Sequence, residues 1–269
     1  MTLRIIIPQL KRFWRERRTY KTQVFLGALS SLIGLLQFGL MGLFLRSGGT
    51  FPSLERYDNN ILGFVLTGAL GSSFLFLVMG SPKSAIQEEQ RTGTLEMIMM
   101  SKGSLARVLL ARLIITFIST TLTSSILVLV FAEIFDVKLE INLVGLALTI
   151  ATGSVVMASI GWCAAGYILY SKAGEPFTWF ITTVVGLFSG VLFPVEFYPE
   201  WIAKAAYFLP TTGVLTALRM VTLTDTKLNQ VLAMLAPCFL WCLFLVPLGV
   251  LVYRWGMNKA RLSGSIGSY

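Results

Sequence analysis

Residues 61–104 read "ILGFVLTGALGSSFLFLVMGSPKSAIQEEQRTGTLEMIMMSKGS". The first twenty carry no Asp, Glu, Lys or Arg. A helix of that length rises about 30 Å, the thickness of a bilayer's hydrocarbon core. The second half holds Lys83, Glu88, Glu89, Arg91, Glu96 and Lys102 around an apolar knot, Met97-Ile98-Met99-Met100. Beyond it the chain is apolar again. A charged segment between two such runs must leave the membrane and come back, which makes this a multi-pass membrane fold.

The rest of the chain follows the same pattern. Of 269 residues 55% are hydrophobic and 13% charged, against about 45–50% and 25% in soluble domains. Six apolar runs stand out, at 24–45, 61–80, 108–131, 143–170, 176–193 and 231–253. They are continuous rather than alternating, so they read as helices and not as barrel strands. The expectation is an all-α membrane protein with six transmembrane helices. The fifth run is the shortest and ends at Phe193-Pro194; the fourth is long enough to tilt or protrude. No soluble stretch exceeds about 40 residues, so residues 1–269 are expected to form a single transmembrane domain. The first apolar run is too long for a secretory h-region and no small-x-small site follows it, so a cleaved signal is not expected.

Lys and Arg set the orientation. The N-terminal stretch, the 81–107 loop with Arg112, the 171–175 loop and the C-terminal tail together carry sixteen basic residues; the loops 46–60, 132–142 and 194–230 carry six. The first group, with both termini, is therefore expected in the cytoplasm, and the protein in the cell (inner) membrane. The net charge of +9 is then a topology signal and not a nucleic-acid footprint. In "LRIIIPQLKRFWRERRTYKTQ" apolar residues recur at helical spacing among basic ones, as in a helix lying in the inner interface over 1–23.

Several chemistries are excluded. Histidine is absent, which removes His-based triads, HExxH zinc sites and histidine proton relays. No GxxxxGK[ST] loop occurs, so no P-loop ATP site is expected on this chain. Cys163, Cys238 and Cys242 lie in apolar runs and do not form a disulfide framework. No metal site is expected. The run interiors lack the carboxylates, His or Lys that ion-coupled carriers and channels use, and lack the clusters an intramembrane enzyme needs; Arg112 lies near an end.

The charged loop has its own grammar. Ser81 followed by Pro82 reads as a helix start. That helix is expected to stop at Gly93, suited to a left-handed turn. Thr94 then caps a short helix from Leu95 to Ser101, which presents Leu95, Ile98 and Met99 on one side. A Met-rich apolar patch in water usually marks a binding surface, here for a protein partner. Between the last two runs, "FPVEFYPEWIAKAAYFLPTTGVLTALRMVTLTD" is too apolar for a free loop yet is broken by Pro194, Pro199 and Pro210. It reads as short helices dipping into the outer leaflet over 194–230, with Trp201, Ile202, Ala205, Phe208 and Leu209 on one face, and Glu196 and Glu200 near the rim. Such backbone must pack on protein or line an aqueous cavity. Candidates for a pathway lining are Ser30, Ser31, Gln37, Thr67, Ser72, Ser73, Thr182 and Thr183. Gly186-x-x-x-Gly190 would permit close helix approach, within one subunit or at a dimer seam.

Two motifs carry a family resemblance. "EEQRTGTLEMIMMSKGS" resembles the E-x-x-x-GTLE segment of type 2 ATP-binding cassette (ABC) transporter permeases. "SGVLFPVEFYPEWIAKAAYFLPTTGVLTALR" is similar to that family's outer segment, "FP", then "P-x-W", then "LP-T". With six runs between and around them, the resemblance covers nearly the whole chain. It implies two permease subunits, identical or not, over two separate ABC ATPase subunits. ATP and magnesium belong to those ATPase subunits; this chain itself has no cofactor. It also implies an ATPase-coupling role for Glu89, Arg91, Gly93, Thr94, Leu95 and Glu96, to which the helical face adds Ile98 and Met99. The "RDLK-x-RY" stretch of the polysaccharide-export branch is not found, so the expected cargo of this exporter is drug-like, lipid or peptide, with polysaccharide or glycolipid as the alternative.

Overall fold

The structure, a computed structural model, describes residues 11, 15, 18–47, 54, 57, 59–100, 105–171 and 175–262; Gln23, Arg46, Ser47, Glu96, Met99, Met100 and Glu175 are described by backbone only. Most of the 1–23 interfacial helix therefore lies outside the described residues.

Helices make up nearly all of it: α1 Lys21–Ser47, α2 Ile61–Arg91, α3 Leu95–Met100, α4 Leu105–Phe135, α5 Leu143–Ser171, α6 Glu175–Phe188, α7 Glu200–Phe208, α8 Pro210–Leu223 and α9 Leu228–Leu262, with a 3-10 turn at Val195–Phe197. Five of them, α1, α2, α4, α5 and α9, are long and apolar enough to cross a membrane. This is an all-α, multi-pass membrane protein. The expected span 176–193 is the difference. Its helix, α6, has 14 residues and rises about 21 Å, short of the roughly 30 Å core. The chain turns away after Phe188, with Gly190 at φ +70°, a left-handed geometry that glycine adopts without steric penalty.

A second difference concerns α2. Ser81-Pro82 does not start a new helix: α2 runs unbroken for 31 residues with Pro82 inside it, about 46 Å in all. The neighbours explain this. Gly161 of α5 has no side chain, and a Cβ there would strike the Met79 carbonyl and approach Pro82 Cδ at 3.1 Å. α5 thus packs tightly against the proline turn. Ser81 Oγ does not cap; it donates to Thr116 Oγ1 of α4 at 3.1 Å. Lys83 Nζ donates to Thr178 Oγ1 of α6 at 3.0 Å.

α2 is the hub, packed against α1, α4, α5, α6 and α8. Phe74, Leu75, Val78 and Met79 of α2 meet Met157 of α5, Val185 of α6, Val214 and Leu215 of α8 and Leu235 of α9 in the largest core cluster. By contrast α4 shows Leu110, Ile114, Ile118, Leu122 and Ile126 to the outside, a stripe at every fourth residue suited to lipid. The α5–α9 interface is the closest. Cβ atoms added at Gly166 and Gly256 would run into Val252 and Gly166 backbone, and one at Gly249 would lie 2.7 Å from the Ser159 carbonyl. Small residues let helix backbones approach in this way. Gly256→Ala is expected to lower stability by about 1–3 kcal/mol through overpacking, read as a lower thermal midpoint of the solubilised protein. Gly186→Ala, whose Cβ meets nothing within 4 Å, is expected to be neutral or slightly stabilising.

The loops sort to two ends. At one, Asn60 caps α2 by accepting from the Gly63 N–H at 2.8 Å, and Asn142 accepts from the Gly145 N–H at 3.0 Å at the start of α5. There the Glu140 and Asn142 N–H groups donate to the Thr222 and Val221 carbonyls, groups that the end of α8 leaves without helical partners. At the other end Leu95, Leu105, Leu169 and Met257 share a core cluster.

Candidate functional site

Three features follow from this frame: the elbow that ends α2, the hairpin α7–α8, and the cavities between helices.

The elbow is built by local hydrogen bonding. α2 ends at Arg91, and the Thr92 N–H reaches back to the Gln90 and Glu88 carbonyls. Gly93 takes φ +67°, the left-handed turn expected of it. The Thr94 N–H then donates to the Glu89 carbonyl at 3.0 Å, and Thr94 Oγ1 donates to the Glu89 carboxylate. Thr92 and Thr94 hydroxyls bond each other at 2.8 Å. Glu89 is 2% exposed. Glu89, Gly93 and Thr94 therefore hold the turn, and Arg91 is exposed beside it.

The outward face of α3 needs correcting. Leu95 is 3% exposed and sits with Ile86, Leu105, Leu109 and Ile168 in the chain's own core, with Ile98 half-buried against the same cluster. A six-residue helix with several apolar positions offers more than one face, and the nearest hydrophobic surface is the chain's own. Among the described side chains of α3, Met97, at 69% exposed, is the one presented outward. The side chains of Glu96 and Met99 lie outside the described residues.

The hairpin breaks at Pro210 as expected. Pro199 precedes α7 and Pro210 is the first residue of α8. Three carbonyls at the break accept from side chains. Ala206 accepts from Thr212 Oγ1 at 2.6 Å, Phe208 from Trp241 Nε1 at 3.1 Å and Pro210 from Cys238 Sγ at 3.3 Å. Trp241 and Cys238 belong to α9, so the break is docked on protein. α7 leaves Trp201, Ala205 and Phe208 of its expected apolar face exposed. Ala206 is fully buried, with Ile202 and Leu209 half-buried, while Trp201 and Phe208 are 75% and 70% exposed. Glu196 accepts from Tyr207 Oη at 3.1 Å.

Arg219 of α8 was missed in the sequence. It is 3% exposed. Its Nη2 donates to the carbonyls of Gly190 at 2.7 Å and Val191 at 2.9 Å, and its Nε to Phe64 at 3.4 Å. Its guanidinium also lies 3.6 Å over the Phe64 ring, a cation–π contact. One side chain thus ties the hairpin, the turn after α6 and α2 together. Gly68 makes room, since a Cβ there would strike the Val191 carbonyl and the Arg219 guanidinium. A lone basic residue inside "TTGVLTALRMV" was the available signal. Gly190 contributes this carbonyl and a turn; it lies past the end of α6, so Gly186 and Gly190 do not form a helix-packing pair.

The candidate lining residues do not converge on one place. Ser31 and Ser73 line a groove of about 450 Å³ between α1, α2 and α4. Thr67 lines a smaller cavity of about 260 Å³ and, like Ser72, bonds its own helix. Ser30, Gln37 and Thr183 are exposed, and Thr182 bonds the Thr178 carbonyl at 2.9 Å. The sequence reading also passed over the hydroxyls of α4 that share the groove with Ser31 and Ser73. Among the described residues no cluster of His, Cys, Asp or Glu is arranged to hold a metal, and all three cysteines are free.

No curated protein matches the chain at a significant level. The family model for ABC-2 family transporter proteins matches residues 48–253, a stretch that takes in α2, both ends of the bundle, the elbow and the hairpin. The chain belongs to the ABC-2 family and is a transmembrane permease subunit of an ABC transporter.

Proposed function

We propose that this chain forms the translocation pathway of an ABC exporter as one of a pair of permease subunits, each coupled to a separate ATPase that binds ATP and magnesium. The observation that carries this is α2: a single helix of 31 residues that runs from the hub of the bundle to the elbow. A continuous helix of this kind can carry displacement from a docking site into the core. ATP-driven closure of the ATPase pair would move the elbows, and the permease halves would shift between two arrangements. Glu89, Gly93 and Thr94 shape the elbow; Arg91 and Met97 meet the ATPase. Leu95 and Ile98 anchor α3 to the bundle.

The whole chain acts as one permease domain in the cytoplasmic membrane, with the elbow and both termini inside. α6 and the α7–α8 hairpin together make the sixth crossing and its outer rim. The cargo is drug-like, lipid or peptide and moves outward. Orientation is tested with single cysteines in a cysteine-free background and an impermeant thiol reagent on intact cells. Cysteine at Lys138 or Thr224 should label from outside and cysteine at Thr92 only after permeabilisation. Labelling of Thr92→Cys from outside reverses the topology and with it the ATPase docking site.

A further inference from the structure

The groove between α1, α2 and α4 is lined by hydroxyls from three helices. α4 gives it Thr116, Ser119, Thr120, Thr123 and Ser124, to which α1 adds Ser31 and α2 adds Ser73; no Asp, Glu, Lys or Arg is among its lining residues. Its remaining wall is apolar, with Leu35, Phe38, Phe74 and Leu77. The cavity of about 580 Å³ between the hairpin and α9 is instead mainly aromatic and aliphatic.

The hydrogen bonds define what this groove offers. A hydroxyl has one proton and two lone pairs. Ser31 donates to the Gly27 carbonyl at 2.9 Å, Ser119 and Thr120 to the Thr116 carbonyl at 3.2 and 2.7 Å, and Thr123 to the Ser119 carbonyl at 2.8 Å. Thr116 Oγ1 accepts the Ser81 proton. The oxygens of Ser31, Ser119, Thr120 and Thr123 have thus committed their protons within the helices and keep lone pairs free. An occupant made only of acceptors finds no donor at these four. One carrying a full charge finds no counter-ion and bears the desolvation cost. One carrying several O–H or N–H donors is matched, and the apolar wall accepts its tail.

We propose that this groove binds an uncharged amphiphile whose polar part is rich in hydrogen-bond donors. Its use as a cargo site rests on the permease reading; its binding does not.

The test uses the full chain in phosphatidylcholine nanodiscs and a photoreactive dodecyl maltoside, with labelled peptides mapped by mass spectrometry. Labels should fall on α1, α2 and α4. Unlabelled dodecyl maltoside should compete at concentrations at least tenfold below dodecyl octaethylene glycol ether, dodecyltrimethylammonium or dodecyl phosphate, which share the chain length but lack the donors or carry charge. Thr120→Val with Thr123→Val should reduce labelling about tenfold, the effect of losing two hydrogen bonds, while Thr182→Val leaves it unchanged. Should the double variant not fold, Ser119→Ala and Ser73→Ala carry the same comparison. Equal competition by the ether or the ionic amphiphiles, or labelling indifferent to these substitutions, overturns the proposal. Labelling as expected without movement of alkyl maltoside by the assembled transporter keeps the site and removes only its role in transport.

Discussion

Arg219→Leu is expected to destabilise the protein by about 3–5 kcal/mol through the loss of its hydrogen bonds to buried backbone carbonyls. Arg219 serves three backbone carbonyls, those of Gly190, Val191 and Phe64. Removing it leaves these acceptors without that partner, and hydrogen bonds to charged groups contribute about 1.5–3 kcal/mol each. The loss is also geometric. Without Arg219, the turn after α6 and the hairpin lose a shared tie to α2. Thermal unfolding of the solubilised protein should show the drop, with faster proteolysis between Trp201 and Leu218 than in the parent. Arg219→Lys keeps the charge but not the fork that reaches two carbonyls, and should fall between the two. A midpoint for Arg219→Leu equal to the parent's would mean that the hairpin is held by its apolar contacts alone.

Leu95→Asp and Met97→Asp, two residues apart, are expected to fail in different ways. Leu95 is buried in the cluster formed with Ile86, Leu109 and Ile168. A carboxylate there has no partner, so this variant should lose several kcal/mol of its own stability and accumulate poorly. Met97 is exposed, and surface substitutions usually change stability by less than about 0.5 kcal/mol. Met97→Asp should fold and insert as the parent does, yet release the ATPase during purification. A micromolar interface holds only about 8 kcal/mol, so one desolvated carboxylate is enough to weaken it strongly. Purified amount and midpoint distinguish the first failure; the ATPase band distinguishes the second.

The difference between these neighbours marks where the sequence stops being readable. Run length located the five long helices, because bilayer thickness fixes how many apolar residues a span needs. Gly93 and Thr94 disclosed the turn, because a left-handed residue followed by a capping hydroxyl has few other uses. Leu95 was misassigned because helical spacing groups residues into faces without saying what covers each face. Pro82 was read as a boundary because the glycine packed against it, Gly161, is far away in sequence and on another helix. Arg219 stayed hidden because its partners are carbonyls, which every sequence supplies. The shortness of α6 was visible only as a shorter apolar run, and the turn at Ser189–Gly190 decided where its helix ended.

The central claim is that the elbow at the end of α2 is where the ATPase docks. Its most direct measurement is site-specific crosslinking in native membranes, with a photoreactive amino acid in place of Met97 and, as reference, in place of the lipid-facing Leu122. Illumination should join Met97's position to an ABC ATPase subunit and leave Leu122's position without that adduct. Transport-competent membranes in which position 97 gives no ATPase adduct, while other exposed positions do, would contradict it.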